Sequence, residues 1–410
     1  MIIANLAALN NTLQKNTRKV YIMDKIKLGI IGFGNMGSGH FNNVKDGNCP
    51  EVEVVAVADI NPKRLEVVHE LDENVKLFNT AEEMLDSGLV NAALVAVPHY
   101  DHPSLAMMCM EKGIHVMVEK PAGVYTKQVR EMNECAARHK DVVFGMMFNQ
   151  RTNSIYKKMR ELVISGEFGQ IRRTNWLITN WYRPKAYYDS GAWRASWKGE
   201  GGGVLLNQCP HQLDLMQWIC GMPKKVQAHL SYGKWHDIEV EDDVTAYMEY
   251  ENGATGVFIT STGDPCGSNR FEVQMDRAKL VVEDGKLTVY ELDIAEPEFT
   301  MTNTSPFKAP GIKQITSFSG GENPQHIGVL NAFAANILHG EPLVARGEEG
   351  INGLMLSNAM HLSDWLGHAV ELPVDEDVYY AELQKRVSVS KLNENAVENY
   401  ADTRGSYNAK

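Results

Sequence analysis

The sequence predicts an α/β chain in which a doubly wound parallel sheet is followed by a second, α+β domain with a large, mainly antiparallel open sheet. Up to Phe148, short apolar runs alternate with helical segments, a pattern typical of a parallel sheet with helices on both faces. Beyond Phe148 the strands are longer, and they include the hairpin dipeptides Asn252-Gly253 and Asp284-Gly285. At 410 residues the chain also exceeds the size of one ordinary domain.

The first strand, residues 27–31, runs into a glycine pattern that opens a helix. Gly32, Gly34 and Gly37 fit G-x-G-x-x-G, and Asp59 ends the following strand 22 residues after Gly37. Such glycines let the backbone approach a pyrophosphate at a helix N-terminus, and the carboxylate binds ribose hydroxyls. A glycine-rich turn without a ligand is the alternative. The predicted dinucleotide site consists of Asp59 and the loop residues Gly32, Phe33, Gly34, Asn35, Met36 and Gly37.

The cofactor predicted for this site is NAD, because Asp59 would repel the 2′-phosphate of NADP. Lys63 and Arg64 follow closely in the sequence. Either side chain could reach such a phosphate, so NADP is the alternative cofactor. No metal is predicted.

The remaining strands of the first domain are predicted in "NAALVAVP", "GIHVMVEKP" and "DVVFGMMFN", with helices between them. In the second of these segments, Glu119 and Lys120 follow an apolar strand and precede Pro121. Ligands of doubly wound sheets bind at this carboxyl edge of the strands. A lysine there can hold a hydroxyl or carbonyl oxygen, and desolvation can lower its pKa. A solvated surface pair is the other interpretation.

The second domain is predicted to begin with a helix around 153–164, a strand, and a long aromatic loop that ends at Gly203. The loop, "NWYRPKAYYDSGAWRASWKGEGGG", is dense in Trp, Tyr and Arg; the aromatic faces can stack on sugar rings, and Arg and Tyr can bind hydroxyls. Some aromatic residues of such a loop serve the core or an interface instead. Two late helices, at 325–340 and 348–367, are expected to return and pack between the domains. The residues of the loop that we expect to contact a substrate are Tyr182, Arg183, Trp193 and Arg194.

The stretch "GGGVLLNQCPHQLDL", residues 201–215, places an amide, a thiol, an imidazole and a carboxylate within eight residues. A helix that begins at about Leu206 would put Asn207 and His211 on one face, with Asp214 near enough to orient the His211 ring. A buried histidine bonded to a neighbouring carbonyl is the alternative for His211. Cys209 has no evident activating base and is interpreted as a packed apolar group.

Taken together, these motifs resemble those of the Gfo/Idh/MocA oxidoreductases. The resemblance rests on the glycine fingerprint, "VPHYDH" at 97–102, "EKP" at 119–121 and "GGG…H-x-x-D" at 201–214, and it covers roughly residues 25–370. It implies an N-terminal Rossmann domain that binds NAD(P) and a C-terminal open sheet that often serves oligomerisation. It also implies that Lys120 and His211 are catalytic, with His211 as the proton acceptor.

The same resemblance implies further contacts around this pair. Asn207 and Asp214 would bind the substrate. Asn207 departs from the family pattern, which most often has Asp there, and an amide can bind a hydroxyl but cannot take its proton. His99 and His102 follow the fourth strand, and His102 would either cap the next helix or line the nicotinamide pocket. The residues expected on the cofactor side are Pro98, His102, Glu119 and Lys120.

The function predicted on this basis is NAD-dependent oxidation of a ring secondary hydroxyl of a sugar, glycoside or cyclitol to a ketone, by reversible hydride transfer. Lys120 would hold the reacting oxygen and His211 would accept its proton. Two alternatives stay open. One is an NAD-using glycosidase of the same family, and the other is a sensor or regulator that binds dinucleotide without redox chemistry.

Composition narrows the class of partner. The formal net charge of −12 argues against nucleic acid and gives no reason to expect binding to an anionic membrane. No apolar run approaches the roughly 20 residues of a membrane span. The six cysteines form no CxxC pair, which is typical of reduced thiols in a cytoplasmic protein. The expected partners are a small-molecule sugar or polyol and further copies of the chain in a homo-oligomer.

The predicted organisation has four segments. In the first of them, apolar residues come before Lys15, Arg18 and Lys19, the reverse of the order in a signal peptide. That segment is therefore interpreted as a loosely attached extension, with Met23 as an alternative start. The segments are an N-terminal extension (1–24), a Rossmann NAD-binding domain (25–148), a substrate and oligomerisation domain (149–385) and a C-terminal arm (386–410).

Overall fold

In the computed structural model, residues 25–394 and 396–397 are described. The predicted extension of residues 1–24 lies outside them, as do residues 395 and 398–410 of the predicted arm. The fold class expected from the sequence is confirmed, because a parallel sheet occupies the N-terminal part of the chain and a mainly antiparallel sheet the C-terminal part.

The strands of the first sheet are β1 (Ile26–Ile31), β2 (Val52–Ala58), β3 (Lys76–Phe78), β4 (Ala92–Val95), β5 (His115–Val118) and β6 (Phe144–Met146). All of them pair in parallel, in the order β3-β2-β1-β4-β5-β6. Every residue of β4 is buried, as expected for a strand covered on both faces. The direction of winding reverses between β1 and β4, and doubly wound sheets bind ligands outside the carboxyl ends of their strands at that position.

The helices of this domain are α1 (Asn35–Lys45), α2 (Pro62–Leu71), α3 (Ala81–Asp86), α4 (His102–Glu111) and α5 (Thr126–Arg138). The start of α2 follows from two local signals. The Asn61 side chain accepts a hydrogen bond from the backbone N–H of Lys63, and Pro62 occupies the first helical position, where its missing N–H has no consequence.

The strands of the second sheet are β7 (Ile171–Ile178), β8 (Lys225–Tyr232), β9 (Glu241–Glu249), β10 (Thr255–Ser261), β11 (Asn269–Met275), β12 (Ala278–Glu283), β13 (Lys286–Leu292), β14 (Ile312–Ser319) and β15 (Val370–Glu371). Their order is β14-β13-β12-β11-β7-β10-β9-β8-β15. The hairpin predicted between β12 and β13 is confirmed, and Asp284 and Gly285 both have positive φ, +49° and +68°, as a type I′ turn requires. Within this sheet β7 pairs with β10 in parallel.

The helices of the second half are α6 (Ser154–Ile164), α7 (Lys185–Tyr188), α8 (Pro210–Cys220), α9 (Glu296–Thr302), α10 (Gln325–His339), α11 (Gly350–Leu366) and α12 (Glu376–Val387). Helix α10 returns to the first domain, as the sequence predicts. Its Val329 and Phe333 are buried in the same apolar cluster as Leu28 and Ile30 of β1. Helix α11 packs against α8 and β8. Together, α10 and α11 therefore connect the first domain to the second sheet and to α8.

The predicted start of α8 at about Leu206 is wrong, because the helix begins at Pro210. A residue that precedes proline is disfavoured from the helical region, and Cys209 lies at φ −103° and ψ 9°. Residues 204–209 form tight turns instead, in which Asn207 donates to the carbonyl of Gly203 and Cys209 to that of Val204. Asn207 and His211 therefore do not share a helix face.

The outward face of the second sheet carries an apolar stripe. Leu177 and Tyr247 are exposed, Ile259 is the register partner of Leu177, and Val257 is that of Tyr247. We propose that this stripe joins copies of the chain into a dimer or tetramer, because exposed contiguous apolar surface is unusual on a monomer.

Light scattering at working concentration is expected to give the mass of two or four chains. Tyr247→Lys should shift that mass toward one chain, because it buries a charge in the contact. Glu131→Lys, on the exposed surface of α5, is the control that leaves the mass unchanged. A wild-type protein with the mass of one chain would contradict the proposal.

Candidate active site

The glycine loop after β1 has the shape that a pyrophosphate needs. Gly32 has φ +91°, and a Cβ there would lie 2.5 Å from the carbonyl oxygen of Ala96, while a Cβ on Gly37 would overlap the carbonyl of Gly32. These two glycines therefore serve the tight turn and the close packing of α1. At Gly34, only the Arg64 side chain among the described residues comes within 4 Å of an added Cβ. Gly34 thus leaves an open cradle at the N-terminus of α1, where Asn35 and Met36 begin the helix and its dipole attracts anions.

Asp59, at the end of β2, is hydrogen-bonded to this loop. Its Oδ2 accepts a hydrogen bond from the Phe33 N–H at 2.7 Å, and its Oδ1 accepts one from the Asn61 N–H at 2.8 Å. A carboxylate has about four acceptor sites, so ribose hydroxyls can still bind. Arg64 Nη1 lies 3.7 Å from Oδ2, which places a cation beside the predicted ribose site.

Glu119 is a buried anion that positions the neighbouring lysine. Its Oε1 lies 2.7 Å from His40 Nε2, and its Oε2 accepts the backbone N–H of Lys120 at 3.1 Å. Burial would raise the pKa of Glu119, but the hydrogen bond to His40 and the charges of His40, His326 and Lys120 bring it to about 2. The cofactor contact of Glu119 stays a prediction; in the structure its carboxylate holds the His40 ring and the Lys120 backbone N–H. His40 and His326 were missed, because neither belongs to a motif visible in the sequence.

Lys120 reaches across from the sheet edge to the turn before α8. Its Nζ donates to the carbonyl oxygen of Asn207 at 2.9 Å. Burial lowers the pKa of Lys120; the nearby arginines Arg194 and Arg183 add to this effect, whereas Glu119 and Glu200 oppose it. A partly desolvated ammonium at this position is suited to hold a substrate oxygen and to stabilise negative charge on it.

His211 is the second residue of α8, and its ring is buried against Phe148, with 6.3 Å between the ring centroids. Burial lowers the pKa of His211 well below its ordinary value, and the charges of Lys120 and His326 lower it further. The ring is therefore neutral at neutral pH, the form in which an imidazole can accept a proton. The charge of Lys120 thus acts on the His211 ring, and Lys120 Nζ is hydrogen-bonded to Asn207, four residues before His211.

Asp214 does not have the role expected from the sequence. Both of its carboxylate oxygens are bonded by Arg151, at 2.8 and 2.7 Å, and Gln217 donates to one of them. Arg151 also binds Glu349. Asp214 is thus part of a buried ion pair with Arg151, which reaches it from the turn before α6. The substrate-binding and ring-orienting roles predicted for Asp214 are therefore wrong. Its partner lies 63 residues away, which no local pattern could reveal.

His102 does not cap α4, and both of its ring nitrogens face backbone carbonyls. It is the first residue of α4, after Asp101, and its Nδ1 and Nε2 lie 2.6 and 2.8 Å from the carbonyl oxygens of Pro121 and Val97. Burial lowers the pKa of His102, so the ring is neutral and only the nitrogen that carries its proton donates to one of these carbonyls. Through these approaches His102 connects the Lys120-Pro121 segment to the loop after β4. Pro98 lies in that loop, at the same carboxyl edge of the sheet.

Asn207 lies between Lys120 and a carboxylate that the sequence analysis did not single out. Its side-chain amide donates to Glu200 Oε1, and its carbonyl accepts from Lys120 Nζ. Glu200 directly precedes the triple glycine and is buried, and its Oε2 accepts from the Ala195 N–H at 2.6 Å. Cys209 is fully buried, with its Sγ 3.1 Å from the Thr260 hydroxyl, as expected for a packed group, and burial raises the pKa of its thiol to about 12.

The aromatic loop forms a stack over this region. Arg194 lies 4.6 Å from the ring centroids of both Tyr187 and Trp193, and its Nη1 donates to the Tyr187 hydroxyl at 2.9 Å. Trp193 in turn packs edge-on against His99, with 5.2 Å between the centroids. Arg183 lies 4.9 Å from the Tyr187 ring centroid. These ring contacts hold the two arginines in place, and Arg194 Nη1 also lies 3.9 Å from Glu200 Oε1.

Beyond Arg183 and Arg194 a cavity of about 870 Å³ opens between the loop and the turn after β8. Tyr182 and Trp235 line it with rings that are 44% and 52% exposed. The described part of the C-terminal arm closes one side through Lys391 and Asn393, since Asn393 donates to the carbonyl of Ala192. The volume lies in the upper part of the range of about 300–1,000 Å³ for small-molecule sites.

Comparison with known families agrees with this geometry. The model of the oxidoreductase family with an NAD-binding Rossmann fold matches residues 26–146, and that of the GFO/IDH/MocA C-terminal domain matches residues 156–281. The chain belongs to the Gfo/Idh/MocA oxidoreductase family. It is an NAD(P)-dependent oxidoreductase that acts on CH–OH groups.

Two relatives of this Gfo/Idh/MocA chain illustrate the breadth of the family. Myo-inositol 2-dehydrogenase of Thermotoga maritima is 24% identical over 342 residues, which cover 82% of this chain and 95% of the relative. D-glucoside 3-dehydrogenase of Escherichia coli K12 is 27% identical over 368 residues, which cover 85% of this chain and 97% of the relative.

Solved structures share the fold. The WlbA dehydrogenase from Bordetella pertussis, in complex with NADH and UDP-GlcNAcA, has a TM-score of 0.70 at 24% identity, with coverage of 86% of this chain and 100% of that one. Levoglucosan dehydrogenase, in complex with NADH and levoglucosan, has a TM-score of 0.69 at 18% identity, with coverage of 85% and 100%.

Two further observations complete the description of this Gfo/Idh/MocA chain. Within residues 25–394 and 396–397, no helix is long and apolar enough to cross a membrane. Across the same residues, no group of three or more His, Cys, Asp or Glu side chains is placed to hold a metal ion.

Proposed function

We propose that this protein is an NAD-dependent dehydrogenase that oxidises a ring secondary hydroxyl of a sugar, glycoside or cyclitol to a ketone, reversibly. The proposal is supported by the hydrogen bond from Lys120 Nζ to the turn that precedes His211, by the buried, neutral ring of His211, and by the open glycine loop in the same chain. The dehydrogenases of inositol and glucoside among its relatives support the class of substrate.

The chain's own residues have distinct tasks in this reaction. Bound NAD would supply the hydride acceptor, held by the Gly32–Gly37 loop and Asp59. The hydroxyl oxygen of the substrate is held by Lys120, which stabilises the negative charge that grows on it. His211 takes the hydroxyl proton as the carbon loses its hydride, and returns it when a ketone is reduced.

The cavity beside Arg194 favours a glycoside over a free monosaccharide. Its exposed Tyr182 and Trp235 rings offer apolar faces on which a second ring can stack. Arg183 adds hydrogen-bond donors close to the stack. We expect a substrate with one ring at Lys120 to place its aglycone toward this cavity, because Arg194 and Arg183 line the cavity and their charges act on Lys120.

A panel of monosaccharides, aryl glycosides and inositols, assayed with NAD by absorbance of NADH, tests the proposal. We expect net NADH formation, with the highest kcat/KM on a glycoside. Trp235→Ala should raise KM for that glycoside by up to about tenfold, because an aromatic contact contributes about 0.5–1.5 kcal/mol, with little change for a monosaccharide. Phe307→Ala, a fully exposed aromatic elsewhere, is the control. Equal effects on both substrates would contradict a role for the cavity.

The same panel separates the alternatives. An NAD-using glycosidase would release the aglycone without net formation of NADH. A sensor would bind the dinucleotide and show neither product. An enzyme, dehydrogenase or glycosidase, is favoured over the sensor because Lys120 and His211 are both present.

We also propose that NAD binds more tightly than NADP. Asp59 lies at the predicted ribose site, where its charge opposes a 2′-phosphate. Calorimetric titration with both cofactors should show the preference for NAD, and Asp59→Ser should narrow it. Arg64→Ala is expected to change the ratio in the opposite direction, because it removes the cation that could bind the phosphate. Tighter binding of NADP by the wild type would contradict the proposal.

A further inference from the structure

A buried carboxylate lies next to the position at which this chain departs from the family pattern. Glu200 is 2% exposed and directly precedes Gly201. Its Oε2 accepts from the Ala195 N–H, its Oε1 accepts from the Asn207 side chain, and Arg194 Nη1 lies 3.9 Å from Oε1. A buried carboxylate needs such partners to remain charged, and here one of them is the residue that replaces the usual Asp.

Asn207 is held from two sides. Its amide group is bonded to Glu200, and its backbone carbonyl is bonded to Lys120 Nζ. Glu200 thus holds the side chain of Asn207 and Lys120 Nζ holds its backbone carbonyl, so Asn207 links Glu200 to the proposed oxygen-binding lysine. A change at Glu200 can therefore reach the reacting oxygen through Asn207.

The charge of Glu200 determines whether the Asn207 side chain accepts a hydrogen bond from a substrate or donates one to it. An ionised carboxylate only accepts hydrogen bonds, so the amide NH₂ must face it, and the amide oxygen is left to accept from another donor. A protonated Glu200 can itself donate, and the amide can then turn and present its NH₂ instead. The two states differ in whether Asn207 accepts from or donates to a substrate hydroxyl.

We propose that Glu200 is a positioning residue for the dehydrogenase reaction, and that the Glu200–Asn207 carboxylate–amide pair takes the place of the single Asp usual in the family. The inference rests on the proposed function. In the ionised state, Asn207 accepts a hydrogen bond from a substrate hydroxyl and directs it toward Lys120. Protonation of Glu200 removes that orientation.

Several groups around Glu200 set its titration. Burial raises the pKa of Glu200 above its ordinary value of 4.5; Arg194 and the two hydrogen bonds oppose the rise, and Glu241 of β9 adds to it. Lys120 and the Tyr188 hydroxyl of α7 also interact with its charge. The ring of His99 bonds the Glu200 backbone carbonyl.

Exchange of the two side-chain types tests the pair. Glu200→Gln removes the carboxylate, Asn207→Asp sets two carboxylates side by side, and the double variant restores one carboxylate and one amide. We expect each single change to lower kcat/KM about tenfold or more, and the double variant to recover about tenfold over the product of the two losses, the size of coupling seen between contacting residues. Losses that simply multiply would overturn the proposal. Glu251→Gln, in the exposed β9–β10 turn, is the control.

The pH profile provides a readout that a purely structural role would not move. Asn207→Asp should shift the acidic limb of kcat/KM to higher pH, because two adjacent carboxyls share a proton and one of their pKa values rises. An unshifted limb would overturn the proposal. This variant retains a charged group at the pair, so it remains informative if Glu200→Gln does not fold.

A measurement without turnover separates this inference from the proposed function. A carboxyl whose pKa is higher in the folded than in the unfolded state binds more protons when folded, so it destabilises the protein as the pH rises from 4.5 through the raised pKa. In denaturant titrations, the free energy of unfolding of Glu200→Gln should therefore rise relative to that of the wild type as the pH increases across that window. A difference between the two proteins that does not change with pH would contradict the burial of an ionisable Glu200. Absence of dehydrogenase activity in the wild type would refute the function and leave this result unchanged.

Discussion

Replacement of His211 by alanine is expected to lower kcat for oxidation about 10²–10⁴-fold, the usual size of a general-base contribution. The Kd for NAD, measured by calorimetry, should hardly change, because His211 acts on the substrate side. His139→Ala, at the C-terminal end of α5, is the control and should leave both quantities unaltered. The ring is buried against Phe148, so a thermal melt of the variant confirms that the fold is intact.

The pH dependence gives this prediction a second readout. Burial, Lys120 and His326 hold the pKa of His211 well below its ordinary 6.5. The base is therefore protonated, and inactive for oxidation, only below that lowered pKa. Titration of His211 should then cause no fall in kcat/KM for oxidation as the pH passes 6.5. Near-normal turnover of His211→Ala at every pH would contradict the assignment, because the proton would then leave through Lys120 or water.

Replacement of Lys120 by methionine is expected to lower kcat/KM about 10²–10³-fold, the usual loss when one donor to a developing oxyanion is removed. Methionine keeps an apolar stem of similar length but cannot donate to the Asn207 carbonyl or to a substrate oxygen. Lys120→Arg should not restore activity, because a planar guanidinium cannot replace a compact ammonium at this depth. Lys112→Met, on the surface at the end of α4, is the control. A kcat/KM within a few-fold of wild type would remove Lys120 from the chemistry.

Local patterns predict the first domain well. The glycine loop, the position of Asp59 and the Glu119-Lys120 pair are each encoded within a few residues, because a turn, a helix N-terminus and a strand end have their own residue preferences. The parallel pairing of β7 with β10 is different. Hairpin dipeptides identify only the strands they join, so the partner of a strand that ends in a long loop stays hidden.

The site also contains some features that local sequence patterns predict and others that depend on distant segments. The start of α8 at Pro210 could have been read from the sequence, since proline favours the first helical position, and the prediction from Leu206 overlooked it. The partners of Asp214 and Glu119 could not have been predicted from the sequence, because Arg151 and His40 approach from elements 63 and 79 residues away. Glu200 lies only seven residues from Asn207, but a glutamate before three glycines has no pattern that marks it as buried.

The most direct test of the proposed chemistry follows the hydride. The best substrate from the sugar panel, deuterated at its ring carbinol carbon, is incubated with the enzyme and NAD, and the nicotinamide and sugar products are analysed by mass spectrometry and NMR. We expect NADH that carries one deuterium on one face of the nicotinamide, together with an equal amount of keto-sugar, and loss of both products in His211→Ala and Lys120→Met. Cleavage of the glycosidic bond with no accumulation of labelled NADH, or bound NAD with unchanged sugar, would contradict it.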